Sequence, residues 1–238
     1  MSAPIPTAPA PPAAPAPPAA SAHDHGAHIR SVELERLVFF SDAVVAIAIT
    51  LLVLELKLPD TLAPPYEQSF RRALLGLAPM LLSYVFSFFL VGMYWFAHHR
   101  IFRYVRRWDG GLVAHNFHFL AWVALLPFAV MLMGRFGGLR TAVVAYGAIQ
   151  FMLGIAQWML WRHASRDHRL IDPDLDPAFV RFVAARSLVL PAVALLSIAI
   201  GLVAPAVWMA WWAYIVSWPA QRLLARMFGR SGERPTAA

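Results

Sequence analysis

Two opposite charges, Arg36 and Asp42, open an apolar stretch of the sequence, RLVFFSDAVVAIAITLLVLELKLP, which covers residues 36–59. The twelve residues after the aspartate carry no charge and a single hydroxyl, that of Thr50. A charged side chain inside a membrane helix costs at least about 2.5–3.5 kcal/mol, so it is usually paired or faces protein or water. An intramembrane carboxylate can therefore relay protons, mark an ion pathway or hold neighbouring helices together by hydrogen bonds.

A helical projection separates two faces of this stretch. On a 100° wheel, three aliphatic side chains lie within a stripe about 60° wide: Ile47, Leu51 and Leu54. Thr50 borders the stripe, and Val53 projects away from it. Asp42 points about 140° away from Ile47, towards packed neighbours. We therefore predict that Ser41 and Asp42 form a hydrogen-bonding node with other helices, and Arg36 does not share the face of Asp42.

The composition indicates the class of protein. Of the 238 residues, 60% are hydrophobic and only 14% are charged, whereas soluble domains carry about 25% charged residues. This is a membrane protein. The absence of cysteine excludes disulfides, zinc-thiolate sites and cysteine nucleophiles. The net charge of +7 comes from arginines beside apolar runs, which is typical of topology signals rather than of nucleic-acid binding.

Six membrane-spanning helices are predicted, because a span needs about 20 apolar residues. After the opening stretch, the apolar runs cover residues 73–97, 112–133, 139–161, 183–203 and 205–220. The runs are continuous rather than alternating, which favours an all-α protein over a closed barrel. Only Ala204 and Pro205 separate the last two runs.

The termini and the loops complete the predicted organisation. Residues 1–29 are expected to be a disordered Pro/Ala-rich tail, residues 30–226 the six-helix transmembrane domain, and residues 227–238 a disordered cytoplasmic tail. When both termini and the alternate loops are assigned to one side of the membrane, that side holds fifteen of the 20 Lys and Arg residues. Cytoplasmic loops retain Lys and Arg, so we predict a multi-pass protein with an N-in, C-in topology.

Several motifs resemble one channel family. Arg36, Phe40, Ser41 and Asp42 reproduce the R-x-x-x-F-S-D signature of the transmembrane protein 175 family of potassium channels. The segments YWFAHHRIFRYVRRWD (residues 94–109) and LLPF (residues 125–128) also resemble its bacterial branch. The resemblance extends over about residues 30–220.

This resemblance implies a function and an assembly. Bacterial members have six membrane helices per subunit and form homotetramers, with the first helix of each subunit lining a central potassium pathway. Carried over to this sequence, the constriction is formed by Ile47, Leu51 and Leu54, and selectivity involves Thr50. A potassium-selective, leak-type channel of the bacterial inner (plasma) membrane is expected, with both termini cytoplasmic. Its partners would be membrane lipid, three identical subunits and transient potassium ions, with no nucleic acid, structural metal, cofactor or enzymatic activity.

The signature residues Arg36, Phe40, Ser41 and Asp42 are expected to form a structural node. In the family such a node is held by polar residues of neighbouring helices, and the candidates here are Trp95, His98 and Asn116. Two alternatives remain open. A proton-coupled secondary transporter could use Asp42, and a b-type cytochrome could use His99 with His118, although a second pair of axial ligands is hard to find.

Overall fold

The computed structural model describes residues 22–59, 61–204, 212–215 and 217–228, all of which lie in helices or in the connections between them. Five helical segments within these ranges are long and apolar enough to cross a membrane: Val32–Glu55, Tyr66–Tyr104, Gly110–Phe136, Arg140–His168 and Pro177–Val203. They correspond to the first five predicted spans. The sixth predicted span, 205–220, lies largely outside the described residues, as does most of the N-terminal tail.

The first helix, α1, covers Ala22–Leu51 and continues as a 3-10 helix over Leu52–Glu55. It begins eight residues before the predicted start of the transmembrane domain at residue 30. Its inner face buries Ser41, Val45, Ala48 and Leu52 against the rest of the subunit. This spacing of three and four residues is that of one helical face, so α1 packs on the bundle along a single side.

The remaining helices follow in chain order: α2 (Tyr66–Gly76), α3 (Ala78–Tyr104), α4 (Gly110–Ala124), α5 (Leu126–Phe136), α6 (Arg140–Ser165), α7 (Pro177–Ser187), α8 (Val189–Val203), α9 (Trp212–Ile215) and α10 (Ser217–Phe228). A short 3-10 turn, Arg166–His168, follows α6. Three of the five spans are therefore interrupted, which the hydropathy of the sequence does not indicate.

Prolines explain the interruptions. Pro79 and Pro127 lie in the first turns of α3 and α5, and Pro191 lies in the first turn of α8. Proline has no N–H to donate to the carbonyl four residues earlier, and its ring clashes with that carbonyl. The chain therefore ends one helix just before each proline and starts the next.

Helix α6 lies in the middle of the bundle and packs against α4 and α8. Two glycines allow α8 to approach closely, because a Cβ at Gly154 would lie 2.5 Å from Cδ of Pro191 and one at Gly147 would lie 2.5 Å from Cγ1 of Ile198. Small residues at such contacts are how membrane helices gain van der Waals packing. The fold thereby holds α4 in place beside α1.

Candidate functional site

A chain of buried hydrogen bonds joins α1, α3 and α4. The amide of Asn116 on α4 donates through Nδ2 to Oγ of Ser41, at 2.8 Å, and its Oδ1 accepts from Nε2 of His98 on α3, also at 2.8 Å. Ser41 in turn donates to the carbonyl oxygen of Leu37 at 2.8 Å. All three polar side chains are fully buried, and the low dielectric of such a site makes paired hydrogen bonds strong and unpaired groups costly.

Asp42 has a different partner from its neighbour Ser41. Nε1 of Trp95 on α3 donates to Oδ1 of Asp42 at 2.8 Å, and the Trp95 indole stacks on the ring of His99 with 5.6 Å between centroids. Among the predicted site residues, the structure thus brings Ser41, Asp42, Trp95, His98 and Asn116 together. Because consecutive residues of α1 bond to two different helices, its rotation about its own axis is restrained.

Arg36 and Phe40 lie apart from these hydrogen bonds. The ring of Phe40 contacts that of Phe117 on α4, with 5.5 Å between centroids. Both Arg36 and Phe40 line a crevice of about 290 Å³ that also touches Trp108. Within the described part of the chain, no carboxylate lies at ion-pair distance from Arg36.

The aliphatic stripe of α1 lies on the side that the subunit leaves uncovered. Ile47, Leu51 and Leu54 are 58%, 41% and 59% exposed, respectively, whereas the face with Val45 and Leu52 is buried. Thr50 is also exposed and donates its hydroxyl proton to the carbonyl oxygen of Ile47 at 2.8 Å. Since the proton is engaged within the helix, the lone pairs of Thr50 Oγ1 remain available to a cation.

The end of α1 departs from the ideal wheel. From Leu52 to Glu55 the chain forms a 3-10 helix, which turns by about 120° per residue rather than 100°. At about 120° per residue, Val53 remains about 120° around the axis from both Leu51 and Leu54. Val53 is 48% exposed, and its position away from the stripe stays a prediction. Sequence periodicity cannot detect this tightening, because it assumes one helical pitch throughout.

One polar cluster was missed by the sequence reasoning. Asp109 caps α4 by accepting from the Leu112 N–H at 2.7 Å, and it also bonds to Nε2 of His163 and to the guanidinium of Arg169, each at 2.8 Å. Partial burial alone would raise the pKa of Asp109, but these three donors outweigh it and hold the pKa below its usual value. An aspartate immediately before Gly110 and an apolar run is a helix-cap signal, and it could have identified this cluster.

In the ranges that the structure describes, no three His, Asp or Glu side chains lie close enough together to hold a metal ion. The candidate site is therefore built from one uncovered aliphatic stripe with a hydroxyl beside it and from the hydrogen bonds that orient it. Such an arrangement contains no nucleophile paired with a base and is suited to contact a partner, lipid or a permeating ion.

The chain is similar to proteins that are named as potassium channels. The family described as endosomal/lysosomal potassium channel TMEM175 matches residues 36–127. A Chryseobacterium sp. (strain P1-3) protein named a potassium channel is 39% identical over 125 residues, covering 52% of this chain and 62% of that relative. A Streptomyces collinus (strain DSM 40733 / Tue 365) protein that is also named a potassium channel is 33% identical over 153 residues. That match covers 63% of this chain and 73% of the Streptomyces protein.

A solved structure extends the similarity beyond the matched family region. The crystal structure of a lysosomal potassium-selective channel TMEM175 homolog from Chamaesiphon minutus superposes with a TM-score of 0.66 at 29% identity. The alignment covers 82% of this chain and 98% of the chain in that crystal structure. In the sequence comparison, the match spans less than two thirds of the length of the Chryseobacterium relative. The sequence identities and the shared fold together show that the chain belongs to the TMEM175 family.

Proposed function

We propose that this protein is a potassium-selective, leak-type channel whose pathway is lined by the α1 helices of four identical subunits. The observation that carries the proposal is the uncovered stripe of Ile47, Leu51 and Leu54 on a helix whose opposite face is buried. One helix per subunit cannot enclose a pathway, so several copies of α1 must share an axis. The bacterial relatives named as potassium channels support the choice of ion.

The constriction would act through its width. A hydrophobic neck conducts when it is wide enough to hold water, and it closes by dewetting when it is too narrow. Potassium sheds its hydration water more readily than sodium, and Thr50 Oγ1 offers an oxygen just beside the stripe. We assign Thr50 to selectivity and the three aliphatic side chains to the constriction.

We place the protein in the bacterial inner membrane with both termini in the cytoplasm, because that side then carries most of the arginines. The domain bounds of 1–29, 30–226 and 227–238 remain part of this proposal, with six membrane-spanning helices in each subunit. No cofactor, structural metal or enzymatic step is needed for permeation.

Purified protein in liposomes is expected to pass potassium faster than sodium, and its mass in detergent should be that of four 26.4 kDa chains. The readout is potassium uptake driven by a gradient, followed by single-channel recording in a planar bilayer. Empty liposomes are the control. Equal fluxes of the two ions would contradict the selectivity, and a conducting monomer would contradict the assembly.

Asp42 separates the channel from the alternative of a proton-coupled transporter. Asp42→Asn keeps an oxygen that can accept from Trp95 Nε1 but cannot carry a proton through the cycle. We expect this variant to assemble and conduct like the original protein, because the carboxylate serves as a hydrogen-bond acceptor. Asp42→Ala, which removes the acceptor, should reduce the tetramer fraction more than it changes ion preference. Loss of all transport in a correctly assembled Asp42→Asn protein would favour the transporter.

A further inference from the structure

A basic cleft lies where α6 meets α7, and its lining residues come from α4, α6, the 3-10 turn after α6 and α7. Its volume is about 730 Å³, within the range of about 300–1,000 Å³ that is usual for ligand sites. Three arginines line it, Arg162, Arg166 and Arg181. Its other walls include the apolar parts of Trp158, Met159 and Val180. The cleft is thus lined by both cationic and apolar side chains.

The arginines of this cleft form few ion pairs with the acids that the structure describes. Within the described residues, no acid lies at ion-pair distance from Arg162 or Arg181. Among the acids that the structure describes, Arg166 pairs only with Asp167, at 3.8 Å, and both of those side chains are largely exposed to solvent. Three arginines and one loosely held carboxylate, that of Asp167, line the cleft. They leave an excess of positive charge, which an anionic ligand would neutralise.

The order of residues along α6 matches the layers of a bilayer. Trp158 lies one turn before Arg162, about 6 Å along the helix axis, and the Arg162 guanidinium sits over the Trp158 ring at 5.2 Å. Tryptophan is enriched at the boundary between hydrocarbon and headgroups, with arginine beyond it at headgroup level. A lipid lying beside α6 would therefore present its phosphate to the arginines and its glycerol and upper acyl carbons to Trp158 and Met159.

We propose that this cleft binds the phosphate of an anionic glycerophospholipid from the leaflet that faces it. Basic pockets between membrane helices are known to suit anionic lipid headgroups. A free phosphate ion would satisfy the guanidinium groups equally well, but it would leave the apolar side chains of the cleft without a contact. The site is separate from the α1 pathway, and lipid binding can be measured without any ion conduction.

The test is lipid binding to the full-length protein in neutral detergent, followed by native mass spectrometry. The probe is dioleoyl phosphatidylglycerol, and dioleoyl phosphatidylcholine has the same chains with no net charge. We expect tighter binding of the anionic lipid. In Arg162→Gln/Arg181→Gln, that binding should weaken by about fivefold for each arginine removed, since each contributes about 1 kcal/mol near an anionic headgroup.

Two further variants serve as controls, one for the loss of an arginine outside the cleft and one for the retention of charge within it. Arg107→Gln removes an exposed arginine outside the cleft and should leave the affinity within about twofold. Arg162→Lys/Arg181→Lys keeps the charge and should retain most of the binding, so it stays informative if the Gln pair fails to fold. Equal weakening by Arg107→Gln, or equal affinity for the two lipids, would overturn the proposal. Displacement of phosphatidylglycerol by millimolar inorganic phosphate would assign the cleft to a soluble anion and overturn the lipid.

Discussion

Leu51→Ala is expected to raise the single-channel potassium conductance and to lower the preference for potassium over sodium. Leu51 is the middle residue of the exposed stripe on α1, and in a tetramer the substitution would occur four times around the axis. The four copies of Ile47 and the four copies of Leu54 would form the neighbouring rings, each about 6 Å from the Leu51 ring along the axis. Ile47 is about one α-helical turn before Leu51, and Leu54 is three 3-10 residues after it. Wider space at this level lets water remain, so the dewetting barrier falls.

The loss of selectivity should be measurable as a shift of the reversal potential. A fivefold fall in the permeability ratio corresponds to about 1 kcal/mol of lost discrimination, and we expect a change of at least this size. Recordings of wild type and variant under the same potassium and sodium gradient provide the measurement. Thr50→Val, which keeps the shape but removes the hydroxyl, should lower the ratio without enlarging the conductance.

A matched control comes from α8, which packs mainly against α6. Leu195 on α8 is 51% exposed, and α8 has further contacts to α7, α9 and α10. Leu195→Ala removes the same atoms as Leu51→Ala without touching the α1 stripe, so its conductance and reversal potential should equal those of wild type. If Leu51→Ala also behaved like wild type, the stripe would not line the pathway.

Asn116→Leu is expected to produce the largest loss of stability. The side chain of Asn116 is fully buried and serves Ser41 and His98 at once. Its replacement leaves His98 Nε2 without a partner, and the opposite ring nitrogen, Nδ1, already has none among the described residues. A buried polar group that loses its partner costs about 1–3 kcal/mol, and the lost contacts with Ser41 add to this.

The double variant His98→Phe/Asn116→Leu makes this prediction specific to the hydrogen bond. His98 stacks on Phe119 with 4.9 Å between ring centroids, so a phenylalanine can occupy the same space. Replacing both partners with apolar groups of similar shape removes the unsatisfied nitrogen, and much of the stability should return. Thermal unfolding in detergent and the tetramer fraction on size exclusion measure both. A double variant as unstable as Asn116→Leu alone would mean that packing, not polar pairing, sets the cost.

The sequence by itself was sufficient for the class of protein and for the five apolar spans that the structure describes. A chain with 60% hydrophobic and 14% charged residues cannot fold as a soluble domain, and apolar runs of about 20 residues specify membrane helices. The exposure of Ile47, Leu51 and Leu54 was also predictable, because a helix repeats with a known period. The same periodicity predicted that Asp42 faces other helices, and in the structure Asp42 accepts a hydrogen bond from Trp95 on α3.

Only the tertiary structure decided which groups pair and where the period changes. Ser41 and Asn116 are 75 residues apart in the chain, and their contact depends on how α1 and α4 pack, which local propensities do not encode. The 3-10 turn at Leu52–Glu55 likewise results from tightening at a helix end, which a single helical period does not predict. The basic cleft takes its arginines from α6, from the turn after it and from α7. In the sequence alone these arginines indicate membrane topology. They line one cleft because α7 packs against α6.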